Sequence, residues 1–394
     1  MSTGRYRSEP SFLRNNDGKW RLRLRDIHQP TRWSPDSVFV KVMHSVQTHL
    51  EPAEVSIIDT RRTRLLVVCV LVLVMPVGPA AAINLNIDYS YDTTDFFGSG
   101  NPDGAASGLQ ARSALEAAAG YYSDLLNDSF AAIETPPSYH SSSSNGVVTW
   151  QWTAIFVDPT TGSGVFLLDE SIAADEYRVY AGAQDLSGGI LANSLPGLSS
   201  VIANPTGTFS PSEIDEYNQI TTSFSDAVNN RGESSGFANW GGTITFDIIG
   251  SNWYYDHTNP PTAGSNDFFS AALHELGHAL GIGTSIDWTG LVSNAEFVGS
   301  SSVAAFGGPV PLDCDLICQH WSVGTTSLIN GIAQDASMNP ILAPGDRKFF
   351  TDLDVAALDD IGWSIVPEPT TGVLGLLAGL AFFGRVGVLG KTGG

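Results

Sequence analysis

Cysteine is nearly absent from this sequence, with three residues in a chain of 394. Cys69 lies in an apolar segment that has the features of a removed targeting signal. The remaining pair, Cys314 and Cys318, is too small a set for a disulfide framework or a cysteine-rich zinc site. Two alternatives remain for this pair: one local disulfide, which an oxidising compartment allows, or two unlinked loop thiols.

Basic residues are rare in the central part of the chain. Residues 83–366 contain 5 Lys and Arg against 33 Asp and Glu, which gives a net charge of −28, whereas residues 1–64 hold 12 of the 19 basic residues. Binding to phosphates requires clustered Lys or Arg, so this composition excludes nucleic acid and makes an anionic membrane a poor partner. It suits an extracellular protein, and so many carboxylates are compatible with calcium binding.

The apolar run at residues 65–75 is too short to cross a bilayer. Three arginines within residues 61–64 precede it, and the alanines 80–82 follow it. This order is typical of a secretory signal peptide, so we expect residues 61–82 to be removed on export. The alternative is a buried strand or helix. Residues 1–60 are either a translation start assigned too far upstream or a genuine N-terminal extension.

The C-terminal end carries a second signature. Val366-Pro-Glu-Pro369 precedes an apolar, glycine-rich run at residues 372–384, and Arg385 and Lys391 follow. This arrangement resembles the PEP-CTERM sorting signal of exported Gram-negative proteins, although two scattered basic residues replace the usual basic cluster. For residues 366–394 the resemblance implies recognition by a C-terminal sorting machinery and transient membrane contact. The alternative is an ordinary amphipathic or buried tail.

Residues 83–365 have the patterning of one folded domain. The alternation and β-propensity of side chains predict strands, and an Ala- and Leu-rich stretch predicts a long helix. Clusters of Ser, Gly, Asn and Pro predict loops. The predicted strands are 83–88, 147–157, 176–180 and 242–247; the helix is 107–128; and the loops are 141–145 and 193–210. A strand, a long helix, several strands and a further helix in this order favour an α+β fold.

The further helix carries the chemistry. Asn266-Asp267 can cap it, and His274 and His278 are four residues apart, so both side chains project from one face. Two imidazoles at this spacing can hold zinc, and Glu275 can act as the general base towards a water at the metal. The pattern is H-E-x-x-H, which predicts zinc-dependent hydrolysis.

The surrounding residues resemble the metzincins, zinc peptidases with the pattern H-E-x-x-H-x-x-G-x-x-H. Gly281 matches the glycine, Met338 lies in a segment similar to a Met-turn, and residues 350–363 are similar to the closing helix of the matrixin-like members. The resemblance implies a metzincin-like zincin: a twisted mixed sheet, a long N-terminal helix, an active-site helix, and a C-terminal helix after the Met-turn. It also implies an endopeptidase with protein or peptide substrates.

The third zinc ligand departs from this pattern, because Thr284 stands where the last histidine is expected. A hydroxyl is a poor zinc ligand. Three substitutes are open: His320, which lies between the motif and Met338, as in metzincins with a long insertion; Asp287; and Glu296, near the spacing of the glutamate in thermolysin-like enzymes. His320 is the preferred ligand because it keeps the chain order of the resemblance.

Two functions follow from these residues. The first is an exported zinc endopeptidase, secreted or at the cell surface, in which Glu275 activates water. The second is a non-catalytic surface or matrix protein on the same fold, which Thr284 keeps open. Three protein ligands with one open position indicate catalysis, and four indicate a structural site. The stretch 307–312 is either a loop lining the substrate cleft or a plain connection.

Overall fold

The computed structural model describes residues 83–231, 238–314 and 317–366, together with the backbone of two short strands near the start of the chain. The chain divides into two units, residues 1–75 and 76–394. The two short strands form an antiparallel pair in the first unit. The predicted signal peptide 61–82 and the sorting signal, beyond Val366, lie outside the described residues, as does most of the predicted extension 1–60.

Helices and strands alternate irregularly along the described chain. The helices are α1 (Ala105–Leu125), α2 (Pro211–Asn229), α3 (Phe268–Ala279), α4 (Ile286–Gly290), α5 (Ser300–Phe306) and α6 (Asp352–Asp360). The strands are β1 (Phe12–Arg14), β2 (Trp20–Leu22), β3 (Asn84–Asp88), β4 (Tyr139–His140), β5 (Val147–Val157), β6 (Gly164–Leu168), β7 (Glu176–Gln184), β8 (Ala192–Pro196), β9 (Leu198–Thr206), β10 (Gly241–Asp247), β11 (Trp253–Tyr254), β12 (Asn266–Asp267), β13 (Val292–Ser293), β14 (Glu296–Phe297), β15 (Val310–Asp313), β16 (His320–Trp321), β17 (Thr326–Ile329) and β18 (Ile332–Asp335). This mixture agrees with the predicted α+β class. Within the described residues, no helix is both long and apolar enough to cross a membrane.

A four-stranded mixed sheet in the order β3-β7-β10-β8 positions the site. The first three strands are parallel, and β8 pairs antiparallel with β10. Helix α3 contacts β8, β10 and α1, and α1 in turn contacts β3. Every residue of β10 is buried, as expected for a strand covered on both faces. The helix with the predicted zinc ligands therefore lies against the β10–β8 side of this sheet.

A second sheet joins β4, β5 and β6, with β9 pairing β5 antiparallel. Its inner face packs a separate aromatic core that includes Trp150 and Trp152 from β5 and Phe224 from α2. The α2 N-terminus is tied to the serine loop at residues 141–144. There the buried Glu213 carboxylate accepts hydrogen bonds from Ser142 N (2.9 Å) and from other groups of that loop. These hydrogen bonds hold the loop against the start of the helix.

The prediction of a loop at residues 193–210 was wrong, because this stretch forms most of β8 and all of β9. Its Ser, Asn, Pro and Gly residues have poor β-propensity, and pairing with β10 and β5 outweighs that local preference. Gly197 lies where the chain passes from one sheet to the other. A Cβ there would lie 2.2 Å from the Trp240 ring, so the crossing accepts only glycine.

Helix α2 was not predicted, although Ser210 and Glu213 form a capping box at its start, which was the available signal. The stretch 307–312 is not simply a loop either. Its second half begins strand β15, which pairs with β14 and β16. The predicted long helix exists with slightly earlier bounds, as α1, and the strand predicted at 176–180 extends to Gln184 as β7.

Candidate metal centre

Helix α3 is held firmly at both ends. Asp267 is its N-cap, accepting from Ser270 N at 3.1 Å, and Arg347 donates to the same buried carboxylate at 2.6 Å. At the other end, Gly281 adopts φ 108°, a left-handed conformation that favours glycine and lets the chain leave the helix. The Tyr177 hydroxyl donates to the carbonyl of Ala279 at 2.7 Å. These contacts fix the helix that carries the motif.

Three histidine side chains converge beside this helix. The Nε2 atoms of His274 and His278 are 3.1 Å apart, and His320 Nε2 lies 3.2 Å from the first and 3.0 Å from the second. The structure therefore brings together the two motif histidines and the preferred third ligand of the sequence analysis. Among the described residues this group could hold a metal ion.

The remaining ring nitrogens decide which atoms face the centre. His274 Nδ1 lies 2.7 Å from the carbonyl oxygen of Ser337, and His278 Nδ1 lies 2.7 Å from that of Ile282. A carbonyl oxygen can only accept, so both Nδ1 atoms carry the proton and both Nε2 atoms present lone pairs. Lone pairs facing one another at this distance repel, and a cation between them removes the repulsion. The donor set therefore fits a metal ion.

Burial keeps these imidazoles neutral. It lowers the pKa of His278 to about 3, with the neighbouring His320 ring adding to the effect, and it lowers the pKa of His274 well below its usual range. Burial also lowers the pKa of His320. Neutral imidazole is the form that binds metals, so the site needs little or no deprotonation near neutral pH.

His320 reaches the centre through a set of non-local contacts. Strand β16 pairs antiparallel with β15, with His320 opposite Asp313. A disulfide joins Cys314 to Cys318 in the segment between these strands, which decides between the two alternatives for this pair. The next residue, Trp321, is fully buried and donates its indole N–H to Asp354 at 2.8 Å.

The other proposed third ligands do not join the group. Among the described residues, the convergent ligand atoms include neither Asp287 nor Glu296. Asp287 lies in the first turn of the short helix α4, and Glu296 is exposed on β14. The Thr284 hydroxyl donates to the backbone carbonyl of His278 at 2.6 Å, so it helps to end the helix.

Met338, from the segment that is similar to a Met-turn, packs against the motif helix. Its side chain is fully buried, and a Cβ on Gly277 would lie 2.8 Å from its Sδ, so sulfur and helix backbone are in close contact. The Asp354 carboxylate accepts from Ser337 N at 2.8 Å and from Met338 N at 3.2 Å. In the sequence, Asp354 is recognisable only as part of the stretch 350–363 that is similar to a closing helix, and no local pattern reveals its contacts with Ser337 and Met338.

Glu275 projects next to the three histidines and is 7% exposed. Burial raises the pKa of its carboxyl to about 8. Two cavities of about 400 and 570 Å³ are both lined by Glu275 and His320, and residues of β8 line both as well. The Glu275 carboxyl group and the three convergent imidazoles thus line space that is large enough for a small molecule.

Comparisons with known protein families and with curated proteins find no match for this chain.

Proposed function

We propose that this chain is an exported zinc endopeptidase of the metzincin type. The observation that carries the proposal is the convergence of His274, His278 and His320 beside the buried carboxylate of Glu275. Zinc favours tetrahedral nitrogen sets with bonds of about 2.0–2.1 Å, which separates the nitrogens by about 3.3 Å. Nitrogen separations of 3.0–3.2 Å suit an ion of this kind.

Three protein ligands are the number found in catalytic zinc sites, which keep a fourth position open. A structural site uses four, and the group found among the described residues has three. This difference favours the peptidase over the non-catalytic surface or matrix protein. The general base is a second reason, since a structural zinc site has no use for a buried glutamate beside it.

The order of the elements is a further support for the proposal. A mixed sheet, the long helix α1, the motif helix α3 and the closing helix α6 follow one another in the order that metzincins have. Gly281 ends α3, and Met338 lies beneath it. The third histidine departs from the family pattern, since it comes 42 residues after His278.

Peptide hydrolysis at this site assigns separate roles to the metal, to Glu275 and to strand β8. When bound, zinc supplies Lewis acidity, which polarises a peptide carbonyl and acidifies water. Glu275 takes the proton from the attacking water and can pass it to the leaving amine. Strand β8 is the last strand of its sheet and lines both cavities, so an extended peptide can pair along its edge.

Export is supported by the disulfide between Cys314 and Cys318, because such bonds persist in oxidising compartments. The predicted signal peptide and the segment that resembles a PEP-CTERM signal also support export. A surface net charge as negative as that of residues 83–366 suits a protein outside the cell and leaves room for calcium as a further ion.

The deciding experiment separates metal binding from turnover. Glu275→Ala should keep zinc, because Glu275 is not a ligand, and should lower the cleavage rate of an unstructured protein by about a hundredfold to ten-thousandfold. His320→Ala should lose both zinc affinity and activity, because two imidazoles hold zinc poorly. Zinc content is measured by metal analysis after dialysis, and activity by peptide release.

Asp287→Ala and Glu296→Ala are the matched controls, since each removes an acidic residue outside the histidine group. Both should retain zinc and activity. Zinc-loaded wild type that cleaves nothing, with no change in Glu275→Ala, would favour the surface or matrix protein instead.

A further inference from the structure

The larger cavity beside the histidines has an unusual cation in its wall. This cavity, of about 570 Å³, is bounded by α3, by β8 and the residues before it, and by the chain that follows Met338. Most of its wall is apolar, and its apolar residues include Leu191, Ala271, Pro340 and Ile341. Lys348 lines the same cavity, and so do His274 and Glu275.

Lys348 is fixed in place by its backbone. Its N–H donates to Ser270 Oγ on α3 at 2.8 Å, and its carbonyl accepts from the same hydroxyl at 3.2 Å. The residue is 7% exposed. Its side chain therefore has a defined position relative to the helix that carries the histidines.

The ammonium group of Lys348 is only partly satisfied within the described residues. Nζ donates to the carbonyl of Ile341 at 2.6 Å, and an ammonium has three N–H donors. Asp335, Asp354 and Asp346 support its charge from a distance, yet the ion pairs within 4.0 Å among the described residues do not include Lys348.

The other four basic side chains within 83–366 have partners outside this cavity. Arg112, Arg178 and Arg347 form ion pairs with carboxylates, and Arg231 donates to backbone carbonyls. A buried ammonium group with unused N–H donors in a mostly apolar cavity is unfavourable unless an acceptor binds beside it. Its chemical complement is a carboxylate, which can accept charge-assisted hydrogen bonds.

We propose that Lys348 makes this cavity a subsite for a substrate carboxylate. The inference rests on the proposed peptidase function and names its substrate class: peptides with an acidic group close to the bond that is cut. Proximity follows because His274 and Glu275 line the same cavity. The apolar wall can hold the methylene groups of a glutamate side chain while Lys348 binds the carboxylate.

A carboxylate can come from two sources, an acidic side chain or the free C-terminus of the peptide. The first gives an endopeptidase that cuts beside Asp or Glu, and the second gives release of short C-terminal fragments. The net charge of −28 over residues 83–366 repels strongly acidic substrates as a whole. The subsite therefore selects a single carboxylate in a peptide that is otherwise neutral or basic.

The test uses zinc-loaded protein and peptides that differ in one group. One set replaces Gln by Glu at each position around the cut bond, and a second compares a free with an amidated C-terminus. The wild type should favour one carboxylate by about tenfold or more in kcat/KM. The set that shows the preference identifies the source.

Variants of Lys348 show whether this residue carries the preference. Lys348→Met, of similar length, should abolish it, and Lys348→Arg should keep it. Lys348→Gln, which retains a donor for Ile341, serves if the Met variant folds poorly. Arg112→Gln is the control, because it removes the same charge from an exposed ion pair outside the cavity and should leave the preference unchanged.

Failure of this inference and failure of the proposed function give different results. Cleavage without preference, or an equal preference in wild type and Lys348→Met, overturns the subsite and leaves the peptidase standing. Absence of cleavage rejects the peptidase. Binding of labelled Glu and Gln peptides to the zinc-loaded Glu275→Gln variant is measured in parallel, and equal affinities overturn the subsite whether or not the wild type cleaves.

Discussion

Two backbone carbonyls set the chemistry of the histidine group at the scale of single residues. Ser337 O and Ile282 O each hold an Nδ1 proton, so the Nε2 atoms of His274 and His278 turn their lone pairs inwards. Glu275 lies beside them and accepts no hydrogen bond from the described residues. Burial is the cause of the raised pKa of its carboxyl group. The pKa of a carboxyl group in this state depends strongly on any charge placed next to it.

The pH dependence of cleavage tests how strongly a bound cation shifts the pKa of Glu275. Burial raises the pKa of Glu275 to about 8, and a bound cation favours the carboxylate and so shifts the pKa down from that value. Because the base must be ionised, kcat/KM should rise with pH through this pKa and be lost as the pH falls below it. A profile of kcat/KM against pH measures the acidic limb. An unchanged limb in the residual activity of Glu275→Gln would contradict the assignment.

At the scale of elements, one carboxylate joins three segments. Asp354 on α6 accepts from the Trp321 indole on β16, from the backbone N–H groups of Ser337 and Met338, and from Thr351 at the start of its own helix. The carboxylate is fully buried. It therefore ties the strand that carries His320 to the turn beneath α3.

Removal of this carboxylate should affect both stability and the metal site. Asp354→Ala leaves buried donors on Trp321, Ser337 and Met338 without an acceptor, and each such group costs about 1–3 kcal/mol. The expected loss is about 2–5 kcal/mol in the free energy of unfolding, with weaker zinc binding as well. Urea unfolding and zinc titration measure the two effects. Asp352→Ala, in the first turn of the same helix, is the control.

At the scale of the whole molecule, the histidine group joins distant parts of the chain. The three histidines come from α3 and β16. His320 is 42 residues from His278 and 46 from His274, so the three meet only in the folded state. A metal that binds the folded but not the unfolded chain stabilises the protein by mass action. The buried, neutral imidazoles make the stability of the metal-free fold depend on pH as well.

Metal removal should therefore lower the melting temperature. Zinc at about a thousandfold above its Kd contributes about 4 kcal/mol, so chelation should lower Tm by roughly 10 °C for a domain of this size. The pKa of His278 is lowered to about 3, so the metal-free fold is most stable above pH 6.5 and loses stability as the pH falls from there. Calorimetry with and without chelator measures the shift. His320→Ala should show little shift, and an equal Tm for metal-loaded and metal-free wild type would contradict the site.

Much of the site could be predicted from local patterns. The H-E-x-x-H spacing places His274 and His278 on one face of a helix because the helical repeat is a local property of the backbone. Asn266-Asp267 predicted where that helix begins, and Asp267 is its N-cap. The long helix and the alternating strands followed from the same short-range rules.

The remaining features depend on contacts between distant parts of the chain. Residues 193–210 have the composition of a loop, and only pairing with β10 and β5 makes them strands. Chain order and spacing left His320, Asp287 and Glu296 open as third ligands, with His320 preferred, and the β15–β16 pairing brings His320 to the other two histidines. By itself the sequence determined which side chains can do the chemistry, because helix periodicity and capping act within a few residues. Only the tertiary structure decided which of them meet, because strand pairing and burial join residues that are far apart in the chain.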